Sequence, residues 1–331
     1  MDESGLWQKV LEGDEKSAAR LISLIEEGRE EGYRELSHLF PFTGKAHVIG
    51  VTGPPGVGKS TITGGLAGAF SGKGNKVGVV AVDPTSVRGT GALLADRLRM
   101  KDAEKKGIFI RSMAHRGYSG GVARATGGAV YVLEGLGKET IFVESLGAGQ
   151  SEKDLSYLCD TVVLIFSPDY GDEIQLLKAG LIEIGDILVV NKGDRPGAED
   201  ARRDLSLSSS NRPGTDGWIV PVLVTRADRG EGLAALIEAI EVHWRFIIDG
   251  RRERLRRERG AAFMMGLLKE EVWRRFERVM KENEACARVA EEAMARKIDP
   301  YSAVERIVGK TAFLIGEGEP EEDRAIPWTS G

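Results

Sequence analysis

Two short segments carry residues able to do chemistry together. The first is Gly53-Pro54-Pro55-Gly56-Val57-Gly58-Lys59-Ser60, between an apolar run and a helix-forming stretch. Its G-x-x-x-x-G-K-S spacing, in strand–loop–helix context, suits a loop that cradles phosphates. Gly56 and Gly58 admit positive φ and leave room for phosphate oxygens. Backbone N–H groups opening the next helix present partial positive charge to an anion. The Lys59 ammonium reaches β- and γ-phosphates, and the Ser60 hydroxyl can ligate Mg²⁺. Gly53, Pro55, Gly56, Val57, Gly58, Lys59, Ser60 and Thr61 are therefore the candidate phosphate contacts. A chance glycine-rich turn would have to match every fixed position in the right context. The segment specifies a nucleoside triphosphate but neither its base nor the use of its energy.

The second segment, Asn191-Lys192-Gly193-Asp194, follows the apolar run 187–190. An Asn-Lys-x-Asp here resembles the guanine-specificity motif of GTPases. A carboxylate such as Asp194 accepts two hydrogen bonds, from guanine N1–H and the exocyclic amine. Adenine lacks both donors in that arrangement and leaves the acid unpaired, which is costly. Asn191 is expected to hold the loop and meet the base edge, with the Lys192 stem along the base plane. Taken alone, the four residues could equally be a polar strand-to-helix turn. Thr225-Arg226-Ala227 falls where GTPases carry a Ser-Ala-like loop near the base, and Arg226 departs from that pattern.

Two acids end apolar runs: Asp83 after 77–82 and Glu144 after 141–143. A hard cation bridging phosphates takes oxygen ligands and retains water, so both are candidates, directly or through water; either could instead cap a helix. Glu144-x-x-Gly147 differs from the Asp-x-x-Gly of most small GTPases. Gly147 is placed to read the γ-phosphate through its N–H, which would make the following loop nucleotide-sensitive. The loops 87–96 and 168–173 are further candidates for movement, and Asp172 also reads as an ordinary helix N-cap.

The elements that must position these residues follow from periodicity. Apolar, β-branched runs at 48–51, 77–82, 108–110, 141–143, 162–166, 187–190 and 220–224 read as strands buried on both faces. Helical stretches at 60–70, 121–136, 173–184 and 233–246 alternate with them, which predicts a parallel sheet covered on both sides. Ligands of such sheets sit at the carboxyl ends of strands. Residues 4–40 read as short amphipathic helices without chemistry. Beyond 250 the strands stop. Trp273, Phe276, Met280, Asn283, Ala287, Ala290 and Met294 follow a heptad spacing with one polar position, Asn283. That predicts a helix hairpin packed on its own domain or a dimerisation arm. The boundaries expected are a helical extension over 1–43, a nucleotide-binding domain over 44–250 and a helical arm and tail over 251–331.

The 331 residues, with 46 Lys plus Arg against 51 Asp plus Glu, carry a net charge of −5. This argues against binding driven by phosphate-backbone charge. Arg251 to Arg259 reads as a solvated face or a subunit contact rather than a nucleic-acid patch. Two cysteines, Cys159 and Cys286, exclude a disulfide framework or a cysteine-rich metal site. No signal peptide or membrane span is evident, so the expected compartment is the cytosol.

Further segments occur in a telling order: Val82-Asp83-Pro84-Thr85-Ser86, Arg97-Leu98-Arg99-Met100, Gly120-Gly121-Val122-Ala123-Arg124-Ala125-Thr126 and Val143-Glu144-Ser145-Leu146-Gly147-Ala148-Gly149-Gln150-Ser151-Glu152. With the two loops above, they make the chain resemble the MeaB/ArgK family of P-loop GTPases, which includes chaperones of methylmalonyl-CoA mutase. The resemblance extends to about residue 300. It implies an α/β P-loop NTPase fold of the SIMIBI type, G3E branch, with a mostly parallel sheet and helical N- and C-terminal extensions. It further implies a homodimer that binds an adenosylcobalamin-dependent acyl-CoA mutase, gates its cofactor loading and protects or reactivates it, using GTP and Mg²⁺. Site roles carry over by position: Lys59, Asp96, Glu144 and Lys178 in catalysis; Ser60, Asp83, Asp96 and Glu144 around the metal; Gly147 at phosphate; Asn191, Lys192, Asp194, Thr225, Arg226 and Ala227 at the base. Asp172, Gln175 and Lys178 match the family's third switch loop. Departures occur at Val87 to Ala92, at Ala95 and at His115 to Ser119, on surfaces that would meet a partner. The competing readings are a nickel metallochaperone GTPase, a protein-kinase-like ATPase of the ArgK label and a nucleic-acid binder.

Overall fold

Each of the seven apolar runs contributes a strand to one sheet, in the order β3-β2-β4-β1-β5-β6-β7. The strands are β1 His47–Thr52, β2 Val77–Pro84, β3 Phe109–His115, β4 Thr140–Glu144, β5 Thr161–Phe166, β6 Ile187–Val190 and β7 Val222–Val224. Every pairing between neighbours is parallel. The structure, a computed structural model, describes residues 5–84, 107–115, 121–145, 147, 155–168, 181–209 and 217–315.

The central strands β1, β4, β5 and β6 are buried along their whole length, which is why they read as unbroken apolar runs. Successive side chains of β1 serve opposite faces. Val48 joins a core built with helices α1 Leu6–Leu11, α2 Glu15–Glu26, α3 Glu30–Leu39 and α5 Gly121–Gly135. Ile49 and Val51 join the opposite core, with α4 Lys59–Gly72 and α7 Leu233–Ile248. A third cluster seats α6 Ala198–Ser209 on β5 and β6. Each fully buried Leu or Ile in these layers contributes about 1.5–3 kcal/mol. The glycines of α5 let the N-terminal helices approach closely: a Cβ on Gly128 would lie 2.7 Å from Ile25, and one on Gly135 2.6 Å from Leu39.

Two expectations shift at the sheet edges. β3 continues to His115, beyond the apolar run. Among the described strands it pairs with β2 alone, at the edge of the sheet, and Arg111 from it reaches Glu26 at 2.7 Å. β7 starts at Val222 rather than 220, since Pro221 has no N–H for a ladder; its carbonyl still accepts from Leu188 N at 2.9 Å. Of the stretch expected as a helix over 173–184, Ile182–Ile184 forms a 3₁₀ turn, and residues 173–180 lie outside the described set.

Helix α8 Arg252–Glu282 opens with the arginines expected on a solvated face. Instead, Arg256 donates to both carboxylate oxygens of buried Asp160, at 2.8 and 2.9 Å, and Arg252 pairs with it at 3.5 Å. Arg259 donates to the carbonyls of Cys159 and Asp160 and pairs with Asp186. Only the alternate face, Arg254 and Arg257, stays exposed. Beside them Thr161 Oγ1 bridges His47 Nε2 and His243 Nδ1, each at 2.8 Å. This buried network closes the amino ends of β1, β5 and β6. Burial pushes His47 down to about 3, against a smaller opposing pull from Asp160. Burial opposes ionisation of Asp160, but Arg256 and Arg252 outweigh it and hold that carboxyl below its usual range.

The chain divides into compact units over residues 1–266 and 267–331. In the second, α8 ends and α9 Glu284–Met294 and α10 Pro300–Ile315 follow. Its core is Cys286, Val289, Ala303 and Ile307, with Phe276 and Met280 against it. The heptad spacing does not run through. Asn283 leaves the helical conformation and caps α9, its side chain accepting from Ala285 N and Cys286 N. The break rotates the inward face onto Cys286 and Val289, so Ala287 and Met294 are exposed. A polar residue between apolar heptad positions here marks a helix start.

Candidate functional site

The phosphate-loop residues sit where β1 ends. Gly53, at φ 141°, lies so close to the Ile165 carbonyl that a Cβ would collide with it. Gly58 holds φ 99° as the residue before α4, and a Cβ there would strike the Asn191 amide. Glycine is required at both positions. Lys59 is buried, and its Nζ donates to the carbonyls of Gly53 and Pro54, both at 2.9 Å. The ammonium is thus drawn back over the loop that precedes it.

β4 pairs with β1 in the register Val51 with Glu144, which sets the acid beside the first turn of α4. Ser60 Oγ donates to Glu144 Oε1 at 2.5 Å, and Thr52 and Ser145 hydroxyls meet at 2.7 Å. Gly147, at φ 84°, packs on the Gly53 carbonyl, and a Cβ on it would lie 2.6 Å from Lys59 Nζ. The hydroxyl and carboxylate oxygens are hard donors that fit Mg²⁺. Asp83 is the penultimate residue of β2, the neighbour of β4; its side chain, and all of Asp96, Asp172, Gln175 and Lys178, lie outside the described residues.

The base-side loop hangs from β6 and β7. Buried Asn191 spends its amide on the protein: Nδ2 donates to Val57 O at 2.8 Å, and Oδ1 accepts from Thr225 Oγ1 at 3.0 Å and Ala227 N at 3.1 Å. Both Oδ1 lone pairs are used, so Asn191 ties the phosphate loop to the loop after β7 and has at most one N–H left for a base edge. Lys192 adopts φ 60°, a left-handed conformation uncommon outside glycine. Gly193 N donates to Thr225 O at 2.9 Å. Asp194, half-exposed, faces Arg226, whose Nε lies 3.7 Å from Asp194 Oδ1 and 3.6 Å from Asp228 Oδ1. Among the described residues that buried Nε–H has no hydrogen-bond partner, a state that generally costs about 1–3 kcal/mol.

The fold thus brings Lys59, Ser60, Glu144, Gly147, Asn191 and Asp194 to the carboxyl end of the sheet. Sequence reasoning missed the Asn191 tie to Val57 and the Arg226 pairing. Only the unusual Arg at position 226 signalled the latter.

A strand–glycine loop–helix whose loop is tied to an Asn-Lys-x-Asp turn, in this parallel sheet, defines a P-loop GTPase. The model of the family described as methylmalonyl-CoA mutase-associated GTPase MeaB matches residues 18–281. The chain belongs to that family. It is 39% identical over 318 residues to a putative GTPase of Pyrococcus abyssi, covering 95% of this chain and 97% of the relative. It is 31% identical over 274 residues to the mitochondrial methylmalonic aciduria type A homolog of Caenorhabditis elegans, covering 81% of this chain and 68% of the relative. The crystal structure of a LAO/AO transport system kinase shares the fold with a TM-score of 0.70 at 23% identity, over 94% of this chain and 99% of that one. Among the described residues, no helix is long and apolar enough to cross a membrane.

Proposed function

We propose that this GTPase is a chaperone of an adenosylcobalamin-dependent acyl-CoA mutase, gating cofactor loading and protecting or reactivating the enzyme. The partner class rests on the family match over residues 18–281. The nucleotide chemistry rests on one observation: Ser60 and Glu144 meet at 2.5 Å directly beside a lysine held in the phosphate loop. In this reading Lys59 exchanges the Gly53 and Pro54 carbonyls for phosphate oxygens. Ser60, Glu144, Asp83 and Asp96 hold Mg²⁺, which supplies charge neutralisation when bound. Gly147 offers its N–H to the γ-phosphate, Asp194 takes guanine, and Lys178 is a switch-loop contact. The chain stabilises phosphoryl charge while water attacks in line. No general base stands out, so intrinsic turnover is slow and the partner completes the site. The working form is a homodimer joined through its C-terminal helices.

Nickel delivery needs soft or imidazole ligands. Cys159, the cysteine of the nucleotide-binding unit, is buried, and desolvation raises its thiol pKa; no observation favours that reading. The test is steady-state GTP hydrolysis, alone and with the cobalamin-dependent acyl-CoA mutase of the same genome, with ATP as control. GTP-selective turnover accelerated by the mutase is expected. Turnover indifferent to the mutase would remove the partner assignment and leave the nucleotide site standing.

A further inference from the structure

We propose that Arg226 is a specificity-determining residue of the base site, donating a hydrogen bond to the 6-oxo group of the purine while Asp194 takes the N1–H edge. The inference rests on the reading that guanine docks on Asp194. The Arg226 guanidinium is held between two carboxylates, Asp194 at 3.7 Å and Asp228 at 3.6 Å, neither close enough to hydrogen-bond its Nε. Among the described residues its buried Nε–H has no acceptor, while the side chain as a whole is 27% exposed and can be reached from the Asp194 side. The backbone around it is fixed: Arg226 N donates to Glu231 O at 3.0 Å, and Glu231 N returns the bond to Arg226 O at 3.2 Å. A partly exposed guanidinium with no close hydrogen bond to either carboxylate therefore stands beside the acid read as the base selector.

The two groups form a complementary pair for a 6-oxopurine. That ring presents an acceptor at O6 next to a donor at N1, and guanine adds an amine on the same rim. Arginine N–H groups are the commonest specific donors to guanine O6 and N7. Adenine places an N–H donor at position 6, and a guanidinium has no acceptor to offer it. Asp194 and Arg226 thus divide discrimination: the acid rewards N1–H and the amine, and the arginine rewards O6 and rejects the adenine amine. Thr225-Arg226-Ala227 falls where GTPases usually carry a Ser-Ala-like loop, and the arginine departs from that pattern.

The test is displacement of a fluorescent GDP analogue from the full chain by GDP, IDP, ADP and pyrophosphate. IDP keeps O6 and N1–H and lacks only the amine. Arg226→Met keeps the volume of the stem and removes every donor; Arg226→Lys restores a cationic donor. In Arg226→Met, GDP and IDP are expected to weaken by the same factor, roughly tenfold, with ADP no weaker. The GDP/ADP preference therefore narrows about tenfold while the GDP/IDP ratio holds, and a tenfold change is about 1.4 kcal/mol. Arg226→Lys recovers part of the preference, and unchanged displacement by pyrophosphate shows the phosphate loop intact. An unchanged GDP/ADP preference in Arg226→Met overturns the proposal. So does a changed GDP/IDP ratio, which would mean that Arg226 acts only by placing Asp194. Asp194→Ala separates the two levels: if it leaves GDP/ADP preference untouched, the underlying base assignment fails.

Discussion

The two ends of the same parallel sheet are built on opposite terms. At the amino end, buried charge meets its complement: Asp160 takes Arg252 and Arg256, Asp186 takes Arg259, and Thr161 joins two histidines. At the carboxyl end, backbone and side chains are held away from their preferred states. Lys192, a non-glycine residue, sits at positive φ, the Lys59 ammonium is drawn onto two backbone carbonyls, and the buried Arg226 Nε has no acceptor among the described residues. The first end contributes stability. The second holds one left-handed non-glycine residue and bonding capacity not used within the described protein.

If this division holds, substitutions at one end should leave the other's property alone. Asp160→Asn leaves the arginines around a neutral group and should destabilise the fold by about 3 kcal/mol, the lower end for a broken buried pair because the arginines keep contact with water. Denaturant unfolding measures it, and GDP affinity of the folded fraction should not move. Lys59→Ala should lower GTP turnover by about 10²–10³-fold with little loss of Tm; unchanged turnover would refute the site. Asn191→Ala crosses the division, because it unties three groups at once. It should cost about 1–3 kcal/mol of stability and weaken GDP as well, and a loss of only one of the two would argue against the tie. The smallest effect is on pH. His47 is neutral in the fold down to about 3, while the unfolded chain binds that proton near 6.5. The unfolded state holds the extra proton between those values, so stability falls as pH drops, by at most about 1.4 kcal/mol per pH unit from this group. His47→Asn should flatten the slope between pH 6.5 and 4.5; an unchanged slope would assign it to other groups.

The carboxyl end was the more legible in sequence. Its glycines, lysine and acids stand in short contiguous segments whose spacing is itself the chemistry, and the strands carrying them are apolar because both faces are covered. The amino end was hidden. Its partners are up to 212 residues apart, as Arg256 and the Gly44 carbonyl show, and Arg252, Arg256 and Arg259 lie on one face of a helix whose other face is ordinary charged surface. Local pattern cannot separate those faces without the tertiary fold. Asn283 misled for the same reason: heptad spacing registers positions but not the backbone break that an asparagine cap introduces.

The Asn191 amide joins the loop after β1 to the loop after β7, and if both hold one ligand their ordering is coupled. One carboxamide holds the carbonyl of Val57 on the phosphate side and the Thr225 and Ala227 groups on the base side. Ordering either loop lowers the entropic cost of ordering the other, and such coupling is reciprocal. A nucleoside and a pyrophosphate should therefore each bind better in the other's presence. If they do, an intact nucleotide would draw on a cooperativity that belongs to the protein and not to the covalent bond between its parts.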